Sequence, residues 1–89
     1  MNHLTVSASL GGDAGAVAPA ELREIESALL IAGATTPSAS FDGRRRVVAV
    51  TFHLQVDKHE DARFRVESVM AGVTNSTPFT VLGLAYYAA

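Results

Sequence analysis

The sequence predicts an α+β fold, a four-stranded antiparallel sheet with two helices on one face, and three observations predict it. First, residues 46–57, RVVAVTFHLQVD, alternate without a break: Val48, Val50, Phe52, Leu54 and Val56 fall on one face, Val47, Ala49, Thr51, His53 and Gln55 on the other. Side chains alternate across a strand, so this stretch is a strand with one face buried. Second, two segments, 19–32 and 58–71, carry apolar residues at helical spacing. Third, shorter alternating runs stand at 4–10 and 37–42 and a strand apolar on both faces at 79–88, so the element order is β-α-β-β-α-β.

Taken in order, LTVSASL at 4–10 sets Leu4, Val6, Ala8 and Leu10 against Thr5, Ser7 and Ser9, a first strand. GGDAGAVA, 11–18, has glycine, small residues and no period. It is longer than the usual connection of roughly 2–6 residues and reads as a surface loop, with ligand binding or an interface as its functional alternative. Pro19 suits the first helical turn, where its missing N–H costs nothing, and Glu21, Glu24 and Glu26 favour the positive helix end. Leu22, Ile25, Leu29 and Ala32 form the stripe of this helix, and Gly33 its C-terminal cap. Leu30 and Ile31 point away from the stripe, which predicts that another surface covers this end.

In PSASFD, 37–42, Ala39 and Phe41 alternate with Ser38, Ser40 and Asp42. Asp42-Gly43 predicts a two-residue type I′ hairpin turn into the central strand. Asp57 and Glu60 have capping-box spacing at the head of the second helix. Its stripe is Ala62, Val66, Val69, Met70 and Val73, with Phe64 on the opposite side. Gly72 reads as its stop and TNSTP, 74–78, as a turn. In the last strand, FTVLGLAYYA, Phe79, Val81 and Tyr87 share one face and Leu82, Leu84 and Tyr86 the other. A strand apolar on both faces is expected to be buried on both sides.

Eighty-nine residues make one domain, 1–89, with a thin core that oligomerisation would help to stabilise. Net charge is −2, so nothing points to nucleic acid or an anionic membrane. With no cysteine, disulfides, thiolate metal sites and cysteine nucleophiles are excluded. The first residues are too short and polar for a signal peptide, and no apolar run reaches the roughly 18 residues of a spanning helix. A cytoplasmic location is the default expectation.

Few residues carry chemistry. His53, Asp57, His59 and Asp61 match no metal motif in spacing, so no metal site is expected. His53, between Thr51 and Gln55, is the candidate ligand donor if the bare sheet face floors a pocket, but no second catalytic group can be placed beside it. Arg44, Arg45 and Arg46 begin the central strand, while Arg63 and Arg65 lie near its other end, roughly 33 Å away. The triplet therefore reads as a hairpin guard against aggregation rather than half of a phosphate patch. RNA-recognition domains need stacking aromatics on the open face of their central strands; here those positions hold Thr, Ser, His and Gln.

With right-handed crossovers, the element order gives the ferredoxin-like arrangement, strand order 4-1-3-2, both helices on one face and the other face bare. The bare face would carry Thr5, Ser7, Ser9, Thr51, His53 and Gln55, completed at one edge by Leu82, Leu84 and Tyr86, or else by Phe79, Val81 and Tyr87. Exposed apolar patches mark interaction surfaces, and symmetric dimers are the commonest assemblies of soluble proteins. A homo-oligomer, dimer or higher, is expected, with Phe64, Leu82, Leu84 and Tyr86 as interface candidates.

LTVSASL, a glycine-containing loop and Leu22-x-x-Ile25-x-x-x-Leu29-x-x-x-Gly33 together resemble the start of ACT-type regulatory domains, and the remaining elements fit that layout to the end of the chain. The resemblance implies a small non-enzymatic domain that pairs with itself and binds an amino acid or similar metabolite at the shared interface, without a cofactor. In that family the loop after the first strand carries a ligand-contacting glycine. Asp13-Ala14-Gly15 looks like the corresponding stretch, which carries over Gly15 with Asp13 beside it and Gly12 as a neighbour. The proline usual before that glycine is absent, and the span from Gly15 to the helix is longer. Two other classes are open. One is an assembly or adaptor protein acting through Leu82, Leu84, Tyr86 and Phe64. The other is a small enzyme of the dimeric α/β-barrel kind, with His53 and Tyr86 as its candidate groups.

Overall fold

Strict alternation makes β3, Val47–Val56, the spine of the sheet: its burial alternates residue by residue, with Val48, Val50, Phe52, Leu54 and Val56 buried and Ala49, Thr51, His53 and Gln55 exposed. The computed structural model describes residues 2–12 and 17–88. In it β1, Asn2–Gly11, pairs antiparallel with β3, setting Leu4 opposite Leu54, Val6 opposite Phe52, Ala8 opposite Val50 and Leu10 opposite Val48. On the outer side of β3 lies β2, Thr35–Asp42, and on the outer side of β1 lies β4, Thr80–Ala88. The sheet is thus antiparallel throughout in the order β2-β3-β1-β4, which from the opposite edge is β4-β1-β3-β2.

Two helices cover one face of this sheet. Helix α1, Pro19–Ile31, has Pro19 at its start, and the Glu21 carboxylate accepts a hydrogen bond from the Ala18 N–H at 3.1 Å. At its end the Ala34 N–H donates to Leu29 O and the Gly33 N–H to Leu30 O, a Schellman closure made possible by Gly33 at φ 104°. Helix α2, Ala62–Ser76, follows a single 3₁₀ turn, His59–Asp61. Ile25, Ala28 and Leu29 of α1 and Ala62, Val66, Val69, Met70 and Val73 of α2 form one core with the apolar faces of β1 and β3, and no polar side chain is buried among the described residues. Phe52 is fully buried at its centre. A side chain of that size contributes about 1.5–3 kcal/mol by leaving water.

Five local expectations are corrected. The Asp42-Gly43 hairpin is not a two-residue turn: Gly43–Arg46 form the loop, Asp42 pairs with Val47, and the positive φ falls on Arg46 (56°). Asp42 causes this, because its Oδ1 accepts from the Arg44 and Arg45 N–H groups at 3.0 and 3.4 Å and folds the chain back locally. No Asp57–Glu60 capping box forms among the described residues; the 3₁₀ turn takes its place. Helix α2 runs through Gly72 into the span read as a turn, because Val73 belongs to the core, and it stops at Thr77, whose hydroxyl donates to Val73 O at 2.8 Å. An ideal Cβ on Gly72 would lie 3.4 Å from Ala32 Cβ, so this glycine sits where the helices meet. Leu30 and Ile31, expected to be covered, are 57% and 89% exposed. Finally, β4 is exposed along its whole length instead of buried on both sides, since it is an edge strand; only Phe79, just before it, enters the core.

Candidate functional site

With both helices on one side, the other face of the sheet is open, and the pairing registers lay it out in cross-strand rows. Thr35, His53, Thr5 and Tyr87 form one row across all four strands. The next holds Ser38, Thr51, Ser7 and Ala85, and the one after it Ser40, Ala49, Ser9 and Gly83. None of these residues carries a fixed charge. The two small-residue rows floor a shallow depression of about 390 Å³, lined among others by Ser7, Ser9, Ala49, Thr51, Gly83 and Ala85. Such short side chains let a ligand or a second surface approach the backbone closely.

His53 stands at one end of this floor, exposed, with its Nδ1 3.3 Å from Thr5 Oγ1. The Thr35 hydroxyl donates to the His53 carbonyl at 3.2 Å and ties the same position to β2. Nε2 has no partner among the described residues, which leaves it for a ligand. Imidazole and hydroxyls in one row can both donate and accept hydrogen bonds, so they suit a small polar molecule with no large net charge. No carboxylate bonds to His53 among the described residues, and no group of three or more His, Asp and Glu side chains converges there.

The structure separates the other sequence-derived candidates. Gly12 lies beyond the opposite end of β1, seven residues from Thr5, or roughly 23 Å at strand spacing. An ideal Cβ there would sit 3.0 Å from the Phe79 ring, so Gly12 rests on that ring and apart from His53. Asp13 and Gly15 lie outside the described residues. The four interface candidates fall on three surfaces. Phe64, 70% exposed, is on the outer side of α2, beside Gln55, Asp57, Asp61 and Arg65. Leu82 is on the open face, where its side chain lies over Gly11. Leu84 and Tyr86 pair with Ala8 and Val6, residues of the core face, so they belong to the helix side. On the same side, the Arg63 guanidinium of α2 is held above its usual pKa chiefly by the 2.9 Å hydrogen bond it donates to the Glu67 carboxylate, then by the Glu67 charge, with a further contribution from Tyr86.

A bulge is the reason. Leu10 pairs with Val81 and Ser9 with Gly83, so Leu82 is an extra residue in β4. One extra residue reverses the parity of everything after it. Neither face assignment read from strict alternation therefore holds. Tyr87 and Leu82 occupy the open face; Val81, Leu84 and Tyr86 the other. The pairing of His53 with Tyr86 over one pocket is lost, and Tyr87 is the tyrosine that shares the row of His53. The signal for it was Gly83, since an isolated glycine within a strand pattern marks a bulge.

No protein-family model, no curated protein and no solved structure matches this chain. The functional argument therefore rests on the face itself. Among the described residues no helix is long and apolar enough to cross a membrane.

Proposed function

We propose that the chain is a small homo-oligomeric binding domain of the ferredoxin-like, ACT-like kind, acting in the cytoplasm and taking a small polar metabolite between subunits in a regulatory role. The observation that carries this reading is the set of three uncharged rows on the open face, the Thr35–His53–Thr5–Tyr87 row beside two rows of small, mostly hydroxyl-bearing residues. On one chain the depression is shallow. A ligand pocket usually buries most of its occupant, and the depression reaches the β4 edge at Gly83 and Ala85, where a second subunit adds to its rim. A molecule that binds only the folded state raises the melting temperature. Thermal unfolding with a panel of free amino acids and related metabolites, on wild type and on His53→Ala, tests the reading. A metabolite that stabilises wild type and loses its effect in His53→Ala is the expected result. A panel without effect on wild type, or effects equal in both proteins, overturns it.

The exposure of β4 favours a second reading. Val81, Leu82, Leu84, Tyr86 and Tyr87 are all at least 37% exposed, and an adaptor whose function is to assemble would present such a strand. In that case Leu84→Asp abolishes assembly while no metabolite shifts the melting temperature.

A further inference from the structure

The two free edges of the sheet are built differently. On β2, Pro37 has no N–H to offer, and the Ala39 N–H is taken by the Glu26 carboxylate of α1 at 3.0 Å. Thr36 sits at φ 46° where the register with β3 breaks, between Thr35 and Ser38. Proline, irregularity and occupied N–H groups are the devices by which proteins keep an edge from pairing with another chain. Of these β4 shares only an irregularity. Its nine residues contain no proline and no charged side chain, and its single irregularity, the Leu82 bulge, is in the pairing with β1. Alternate N–H and C=O groups of an edge strand face outward without ladder partners.

The side chains of β4 add a second argument. Val81, Leu84 and Tyr86 are on the helix side and Leu82 and Tyr87 on the open side. Side chains on either face of a strand find cross-strand partners only where a neighbouring strand lies alongside. β4 has such a neighbour on one edge only.

We infer that β4 pairs antiparallel with β4 of a second copy of this chain, joining the two sheets into one of eight strands with the open faces side by side. This inference rests on the self-association proposed above and names its geometry. A two-fold contact places each residue type against its own surroundings, so a charged strand would meet like charge, and β4 carries none. A two-fold axis at Leu84 brings the aliphatic end of one strand, Val81 and Leu82, beside the tyrosine end of the other, Tyr86 and Tyr87. Aromatic against β-branched or aliphatic is a favourable cross-strand combination. The paired length is about 30 Å at strand spacing.

The chain has no cysteine, so single-cysteine variants report contacts without background. Leu84→Cys on the axis, Thr51→Cys on the open face and Ser40→Cys on β2 are each oxidised mildly and run without reductant, after circular dichroism confirms folding. The wild-type mass in solution is measured beside them by light scattering, together with Leu84→Lys. The expected result is a wild-type dimer, a dominant cross-linked dimer for Leu84→Cys alone, and a mass halved by Leu84→Lys. A wild-type dimer that cross-links through Thr51→Cys or Ser40→Cys, and not through Leu84→Cys, overturns the edge pairing but leaves self-association standing. A monomeric wild type overturns both and leaves the edge to a foreign strand.

Discussion

Arg46 is the residue whose replacement separates the observed hairpin from the one its sequence suggests. It sits at φ 56°, whereas Gly43 is not among the positive-φ residues. A left-handed backbone costs a residue bearing a Cβ about 1–2 kcal/mol. Glycine removes that cost and returns about 0.5–1 kcal/mol of it through the greater freedom of the unfolded chain. Arg46→Gly is therefore expected to stabilise the fold by about 0.5–1 kcal/mol. For a domain of this size that is a rise of about 2–8 °C in melting temperature. The only ion pair in this loop among the described residues, Arg45 with Asp42 at 4.0 Å, is left intact and is too exposed to contribute much. Gly43→Ala is the matched control. Its ideal Cβ would lie 3.8 Å from the Phe41 ring, an ordinary contact, so reduced freedom of the unfolded chain gives a gain of about 0.4–1 kcal/mol. A type I′ turn at Asp42-Gly43 would reverse this, with Gly43→Ala losing about 1–2 kcal/mol. Urea unfolding at constant slope reads both variants. A destabilised Gly43→Ala beside an unchanged Arg46→Gly would refute the loop geometry.

The glycine that closes α1 and the one inside α2 should behave oppositely. Gly33→Ala places a Cβ at φ 104° and 3.3 Å from an Arg65 guanidinium nitrogen, and is expected to lose about 1–2 kcal/mol. Gly72→Ala, inside α2 with its added Cβ in van der Waals contact with Ala32 at 3.4 Å, is expected to be neutral or to gain up to about 1 kcal/mol. Chemical denaturation of both settles it, and equal losses would mean that α2 does end at Gly72. Removing the Glu26 carboxylate leaves the Ala39 N–H without its acceptor. Glu26→Ala should cost about 0.5–1.5 kcal/mol and open the β2 edge, seen as slow growth of light scattering on storage; a variant as stable and as monodisperse as wild type would remove Glu26 from the role of edge guard.

Much of the fold was legible along the chain. Alternation in 46–57 and 4–10 identified the buried faces of β3 and β1 residue by residue, because a strand with one solvated face must alternate. Helical spacing identified the core stripe of α2, and Gly33 the end of α1, because a left-handed cap needs a residue without a Cβ. The candidate face was legible in the same way: Thr5, Ser7, Ser9, Thr51 and His53 are the complement of the buried set. The residues that tertiary structure alone decided are those whose placement depends on a partner strand or helix. Strict period two assigned β4 to the wrong sides because one bulged residue, Leu82, is visible only against β1. Apolarity on both faces was read as burial, yet the position of β4 in the sheet depends on the course of the whole chain, not on its own composition. Gly72 read as a stop because nothing local distinguishes a terminating glycine from one that lets Ala32 approach. Local pattern determines which faces are apolar; register and strand order determine what those faces meet, and here they put Tyr87 rather than Tyr86 in the row of His53, with Thr5 between them.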